Sequence, residues 1–414
     1  MIKERFDVAI IGGGPAGMMA AGRAGELGAK VVLLEKNSKL GVKLLLTGKG
    51  RCNLTNKELN LRSFTEQFGK EGDFLFSPFS LFGVKETMAF FEKRGLKLKT
   101  ERGQRVFPVS DRASDVLGAL VSYLRNNNVK IMTNAQVIGI KRNKNKISKI
   151  LLKNGEVVAE KYIICTGGKA YPETGSAGDG FWWAKKMGHT ITQLKPSLTP
   201  LITKESWVKE AQGLSLKNVK ISLWQNGKKK KECFGEALFT HFGLSGPIIL
   251  DLSREVGQLL GKGEIKLILD LKPALDFSLL DKRLQRDFQK YNNKLFKNCL
   301  DDLLPQKLIR LIIKLSGINP NKKVNLISKE ERSRLAKLLK NIELTVVKLA
   351  GFERAIITSG GVSLKEIDSK TMKSRLVDNL FFAGEIIDLS GPTGGYNLQL
   401  CWTTGYLAGQ SSAS

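Results

Sequence analysis

Three glycines and one acid carry the first chemical statement in this chain. Gly12, Gly14 and Gly17 stand in the stretch GGGPAG, with Pro15 and Ala16 between them, and Glu35 follows Gly14 by 21 residues. At this spacing Gly12 permits a tight turn, Gly14 lets the backbone approach a diphosphate, and Gly17 lets helix and strand pack closely. The diphosphate would rest on the helix N-terminus, where unpaired N–H groups and the helix dipole favour negative charge. Glu35 is placed to accept hydrogen bonds from an adenosine ribose. The elements that must position these groups arrive in order. Residues 6–11 are an apolar run of the kind buried on both faces of a sheet, residues 15–27 an Ala/Met-rich helix ended by Gly28, and residues 30–34 a second strand. GxGxxG alone is weak evidence, but strand, turn, helix, strand and acid together predict a dinucleotide site.

Other glycine-rich stretches could reach the same ligand. Thr47-Gly48-Lys49-Gly50-Arg51-Cys52-Asn53 is too close to the first motif to start another nucleotide unit. It reads as a loop lying along the same cofactor, with Arg51 near its middle. Residues 162–165 form a buried strand that ends in Thr166-Gly167-Gly168, where the missing side chains allow close passage by a diphosphate. No second GxGxxG with a downstream acid exists, so a dedicated nicotinamide domain is not expected.

Composition limits the class. At 414 residues, 42% hydrophobic and 26% charged, the chain is expected to be globular and large enough for two or three domains. No apolar run reaches the roughly 18 residues of a membrane span, and the N-terminus enters a strand almost at once rather than a signal peptide. The five cysteines, Cys52, Cys165, Cys233, Cys299 and Cys401, are scattered and never spaced as CxxC. That pattern argues for a reducing cytoplasm and against a disulfide framework. With only His189 and His241, no metal site is expected. The net charge of +28, from 67 basic and 39 acidic residues, favours a polyanionic partner, unless a lysine-biased genome spread it evenly.

Along the chain, residues 102–111 read as extended, with Ser110 or Asp111 capping a helix to about residue 126. Residues 129–140 and 146–152 alternate as strands, and Asn154-Gly155 marks a hairpin turn. Residues 195–350 look like an insertion. It holds short β-like runs with the lysine run Lys228, Lys229, Lys230 and Lys231, then strongly helical residues 276–316. There Leu280, Leu284, Phe288, Tyr291 and Leu295 form an apolar stripe. Arg283, Arg286, Lys290, Lys294 and Lys297 recur at helical spacing and predict one continuous basic ridge. Residues 355–361 and 379–384 then return as strands, followed by a helix from about residue 396 that closes the first sheet.

Taken together, DVAIIGGGPAG, TGKGRCN, RVFPVSD, CTGGKAYPETGSAGDG, FTHFGLSGP, SGGV and AGEIIDLSGPTGGYNLQ resemble the motifs of the BaiN/RdsA-like (YhiN-type) flavoproteins, which have the glutathione-reductase-type FAD fold. The resemblance covers nearly the whole chain. It implies an α/β Rossmann-like FAD domain made from residues 1–193 and 355–414. It also implies an inserted β-barrel over 194–275, a small helical domain over 276–335 and a return strand within 336–354. Carried over residue by residue, Gly12, Gly14, Pro15, Ala16 and Gly17 would hold the FAD diphosphate, and Glu35, with Lys36 beside it, the adenosine ribose. Val137 would meet adenine through its backbone. Arg51, Cys52 and Asn53 would lie near the ribityl–isoalloxazine region, with Thr166, Gly167 and Gly168 lining the groove. Gly384, Glu385 and Asp388 would approach the ribityl and phosphate, and Asn397 and Leu398 the pyrimidine end of the flavin. Many such folds place Gly-Asp where this chain has Gly384-Glu385, which leaves open whether Glu385 or Asp388 takes the ribityl contact.

The helix beginning near Asn397 supports a flavin on physical grounds, because a helix N-terminus stabilises the negative charge of reduced flavin at N1 and C2=O. A flavin reductase of a C=C bond needs a hydride at one carbon and a proton donor at the other. Cys52, His241 and Tyr396 are the candidate donors. The expected activity is an FAD-dependent oxidoreductase reduced by transient NAD(P)H and acting on uracil in ribosomal RNA. The alternatives are a small-molecule amino-ketone oxidase or enone reductase, and a non-catalytic flavoprotein that binds RNA.

Overall fold

The computed structural model describes residues 4–414. The chain divides into two compact units, one built from the residues up to 196 together with 352–414, the other from 197–351.

The first unit is organised by a seven-stranded sheet. Strand β1 (Arg5–Ile11) lies parallel between β2 (Val31–Leu34) and the long strand Gly155–Ile164, and helix α1 (Pro15–Glu26) joins β1 to β2. Val8, Ala9 and Ile10 are wholly buried: Val8 and Ile10 share a core with Met18 and Met19 of α1, and Ala9 belongs to a separate core. Strand Lys130–Met132 extends the sheet beyond β2, and Leu380–Phe382 pairs parallel with the long strand. The antiparallel strands Val137–Asn143 and Lys146–Leu152 complete it. The terminal helix Tyr396–Ala413 is apolar on nearly every side and lies against α1. A Cβ on Gly405 would stand 2.4 Å from the Ala16 carbonyl oxygen, and one on Gly409 would stand 2.3 Å from that of Ala20. Only glycine permits this approach, which brings the C-terminal segment onto the first motif of the chain.

In the second unit six strands close into a barrel, in the order Leu201–Thr203, Gly243–Ser245, Lys228–Thr240, Ser215–Gln225, Ile265–Asp270 and Ile342–Leu349. Leu223, Leu267 and Leu344, on three adjacent strands, share a core with Ile249 and Leu252 of helix Pro247–Leu259 and with Leu308 and Ile312 of helix Gln306–Ser316.

Several local expectations change. The helix expected over 276–316 is two helices, Phe277–Lys290 and Gln306–Ser316, separated by turns. Tyr291 ends the first, where Asn292 and Asn293 follow, so Lys294 and Lys297 lie off its face and the basic ridge is not continuous. Two of its charges are also matched, Arg283 by Asp287 at 2.9 Å and Lys290 by Asp302 at 2.7 Å, and Lys297 donates to Asn321 at 3.0 Å. Helix Lys329–Lys340 runs past residue 336, so the returning strand begins only at Ile342. Neither Ser110 nor Asp111 caps the helix Ala113–Asn126. Arg112 is its N-cap residue, and the Asp111 carboxylate instead bonds Lys99 and Arg51.

Candidate dinucleotide and active site

The glycine turn is built as a cradle. Gly12 adopts φ +107°, and a Cβ there would lie 2.4 Å from the carbonyl oxygen of Cys165, at the end of the neighbouring strand. A Cβ on Gly17 would lie 1.8 Å from the carbonyl oxygen of Gly12, so the helix can touch the turn only without a side chain. Gly14 faces open space, with nothing within 4 Å of its would-be Cβ. It is also the N-cap of α1, where no side chain caps the helix and Pro15 occupies the first turn. The remaining N–H groups of that turn therefore have no intrahelical acceptor.

Glu35 closes one side of the cradle and is nearly buried. Its Oε2 accepts from the Gly13 amide at 2.7 Å and its Oε1 from the Asn37 amide at 2.8 Å. The carboxylate is thus fixed in place, with further lone pairs available. The Glu35 carbonyl accepts from Ala135 at 2.9 Å, which brings the buried Val137 to the same end of the sheet. Lys36 forms a 2.6 Å ion pair with Asp179, the first residue of helix Asp179–Lys186.

The second glycine loop is unusually wound. Gly48, Lys49, Gly50 and Cys52 all take positive φ, a conformation costly for the two non-glycine residues. Arg51 is held outside the wound backbone. It pairs with Glu101 and with Asp111, and its guanidinium lies 4.2 Å from the centroid of the Phe107 ring. Cys52 has no exposed surface, and burial pushes its thiol up to about 12. Asn53 follows, with its Oδ1 buried and without a hydrogen-bond partner. Thr166 Oγ1, on the loop after strand Gly155–Ile164, is orphaned in the same way. Buried polar atoms are rarely left unsatisfied. These two lie on the two loops expected to line the groove and fit a ligand rich in hydroxyl, amide and carbonyl groups.

Next to Thr166, Gly167 has φ +71°, and a Cβ on Gly168 would strike Thr358 Oγ1 at 2.3 Å and Glu385 Oε1 at 2.6 Å. Gly384, at φ +80°, donates to Thr404 Oγ1 at 2.9 Å, and its would-be Cβ lies 2.8 Å from that of Ala16. Glu385 is therefore beside the cradle. Its Oε1 accepts from the Thr358 amide at 2.8 Å and its Oε2 from Lys43 at 2.8 Å. Lys43, on the short helix α2 (Val42–Leu46), was not singled out by the sequence. A lysine in a five-residue helix has no spacing signature. Asp388 faces elsewhere, toward Thr192 and the Gly360 backbone, and burial raises its carboxyl above the usual range.

The terminal helix starts after Gly394 and Gly395, both at positive φ. A Cβ on Gly395 would lie 2.3 Å from the Thr55 carbonyl carbon, which sets the helix N-terminus against the strand that follows Asn53. Asn397 bonds back to its own loop, accepting from the Gly391 amide at 2.8 Å and donating to the Gly391 and Pro392 carbonyls at 3.0 Å. The Asn397 side chain is thus committed to its own loop, and only its backbone and that of the adjacent Leu398 are left to meet a ligand. The half-buried Tyr396 packs on Phe64, with ring centroids 4.7 Å apart. His241 belongs to the second unit, exposed in the turn between strands Lys228–Thr240 and Gly243–Ser245. His189 is a buried structural histidine bonded to Ser374 at 2.8 Å. Among the described residues no cluster of metal-ligating side chains occurs, and no helix is long and apolar enough to cross a membrane.

Fold and crevice define the Rossmann-type, FAD-binding class of α/β oxidoreductases. Residues 6–411 match the HI0933-like protein Rossmann domain, and the chain belongs to that family. Across 98% of both chains it is 33% identical to the 3-dehydro-bile acid delta(4,6)-reductase of Clostridium scindens. It is 29% identical to the ribosomal RNA dihydrouridine synthase of Escherichia coli, again across 98% of both. Among solved structures, the 3-ketosteroid delta1-dehydrogenase of Sterolibacterium denitrificans in complex with 1,4-androstadiene-3,17-dione shares the fold. Its TM-score is 0.55 at 12% identity, covering 99% of each chain.

Proposed function

We propose that this FAD-dependent oxidoreductase reduces the carbon–carbon double bond of uracil in ribosomal RNA. The observation that carries this reading is the net charge of +28 on a chain that aligns from end to end with a ribosomal RNA dihydrouridine synthase. A small-molecule enone is the second reading, favoured by the comparably similar bile acid reductase. Both substrates present a C=C bond conjugated to a carbonyl, so the two readings share their chemistry and differ in what surrounds the reacting bond.

In this reading the uncapped first turn of α1, with Gly12, Gly14, Pro15, Ala16 and Gly17, receives the diphosphate, and Glu35 receives the ribose with Lys36 alongside. Val137 meets adenine through its backbone. Asn53 and Thr166 supply the two orphaned oxygens, and Gly167 and Gly168 leave room for the ligand. Of the two acids, Glu385 is the better ribityl partner because it lies beside Gly168 and the cradle. The N–H groups of Asn397 and Leu398 face the pyrimidine end of the flavin. FAD bound there would supply the hydride, with NAD(P)H visiting from solution as its source. Reduction of the double bond would need that hydride at the carbon β to the carbonyl and a proton at the α carbon. Tyr396, half-buried at the helix N-terminus, is the donor of choice, since Cys52 is sealed off. The exposed Lys228, Lys229, Lys230 and Lys231 offer the RNA phosphates a surface, with Lys229 partly matched by Glu232.

The test supplies purified protein, FAD and NADPH or NADH with ribosomal RNA from a strain lacking this protein. Dihydrouridine is then read by nucleoside mass spectrometry. Formation of dihydrouridine at a defined site supports the reading. Oxidation of the nicotinamide with an enone but never with RNA transfers the assignment to a small molecule.

A further inference from the structure

We propose that Lys43 is a cofactor-positioning residue whose charge makes Glu385 compatible with a bound dinucleotide. The proposal rests on the FAD reading above and adds to it a residue that no motif marked.

Glu385 stands in an awkward place. Its Oε1 would lie 2.6 Å from a Cβ on Gly168, and the residue before it, Gly384, comes within van der Waals reach of Ala16 in the first turn of α1. A dinucleotide diphosphate brings negative charge to that turn. An unpaired carboxylate beside it would repel the ligand, the more strongly because the side chain is mostly withdrawn from water. The Lys43 ammonium, 2.8 Å from Glu385 Oε2, offsets this charge; both side chains are largely buried, at 22% and 16% exposure. The Thr358 amide holds the other oxygen at 2.8 Å, so the carboxylate is gripped at both ends and cannot swing away. An ammonium has three donors, and one is used by Glu385. The others remain for the cofactor.

The two basic residues expected at the cofactor from the family resemblance are committed elsewhere. Arg51, in the glycine-rich loop, is taken up by Glu101 and Asp111. Lys36 is paired with Asp179 at the adenosine end.

The experiment measures FAD affinity of the apoprotein by fluorescence quenching, and flavin reduction potential in the reconstituted protein. Wild type is compared with Lys43→Met, Glu385→Gln, the double variant and Lys43→Arg. Lys43→Met should weaken FAD binding by about tenfold or more, and Lys43→Arg should restore most of it. The double variant should bind better than Lys43→Met alone, since removing the carboxylate removes the repulsion. The potentials should move in opposite directions, down in Lys43→Met and up in Glu385→Gln, which a purely structural role would not produce. Equal FAD affinity in wild type and Lys43→Met, or additive losses in the double variant, would overturn the proposal. Failure of wild type itself to bind FAD would instead overturn the FAD reading.

Discussion

Thr55 and Gln399, 344 positions apart in the chain, share a buried 2.6 Å hydrogen bond. The Gln399 amide also donates to Thr87 at 2.7 Å and Thr403 at 3.0 Å, and Trp402 donates to the Leu54 carbonyl at 2.9 Å. The segment that carries Asn53 is thereby sewn to the first turns of the terminal helix, so the two halves of the groove hold each other in register.

Gln399→Leu should cost roughly 2–4 kcal/mol, because three buried threonine hydroxyls lose a partner. Denaturant unfolding reads this directly, and an unchanged midpoint would show that the network contributes nothing. Flavin content of the purified variant should fall alongside.

Gly405→Leu places a side chain where 2.4 Å separates its first carbon from the Ala16 carbonyl oxygen. Backbone must shift, at a cost of about 3 kcal/mol or more. Ala16 lies in the turn proposed to hold the diphosphate, so on that reading FAD retention should fail before global folding does. Thermal melts with and without added FAD separate the two effects.

Cys52 should be chemically silent. With its thiol pushed up to about 12 by burial, the thiolate is scarce at pH 8. Native-state alkylation should label Cys233 well before Cys52, and Cys52→Ala should retain turnover within about threefold. A loss of a hundredfold or more would return Cys52 to the role of proton donor.

His189 sets an acid limit on stability. Burial holds its imidazole below the ordinary value of 6.5; Glu366 opposes that shift and Arg142 reinforces it. The unfolded chain therefore takes up a proton first as the pH drops. Its contribution is complete above about 6.5 and is lost as pH falls through the lowered folded value. His189→Gln, which keeps an amide toward Ser374, should flatten this limb below about pH 6.5 in urea unfolding. An unchanged acid limb would assign it to other groups.

Replacing Lys228, Lys230 and Lys231 by Glu should weaken retention of ribosomal RNA fragments at moderate salt by about tenfold or more. The slope of log affinity against log salt should fall by roughly one for each phosphate no longer neutralised. Retention unchanged by the triple variant would place the RNA surface elsewhere.

What could be read from the sequence was what depends on local spacing. The turn at Gly12, the packing at Gly17 and the position of Glu35 follow from a strand–helix–strand unit of about thirty residues. Relationships decided by distant segments were not visible. Arg51 reads as a cofactor ligand until Glu101 and Asp111 fold onto it. Lys43 has no meaning before Glu385, 342 positions later, comes to meet it. The 283–297 ridge failed for the converse reason: periodicity continued on paper after Tyr291 had ended the helix.

In the barrel, the first and last strands are direct neighbours, with Leu201 paired opposite Leu349. The inserted stretch consequently departs and comes back through a single doorway about one strand spacing wide. Because the barrel closes between its own first and last strands, insertions in its loops leave the pairing of Leu201 with Leu349 in place.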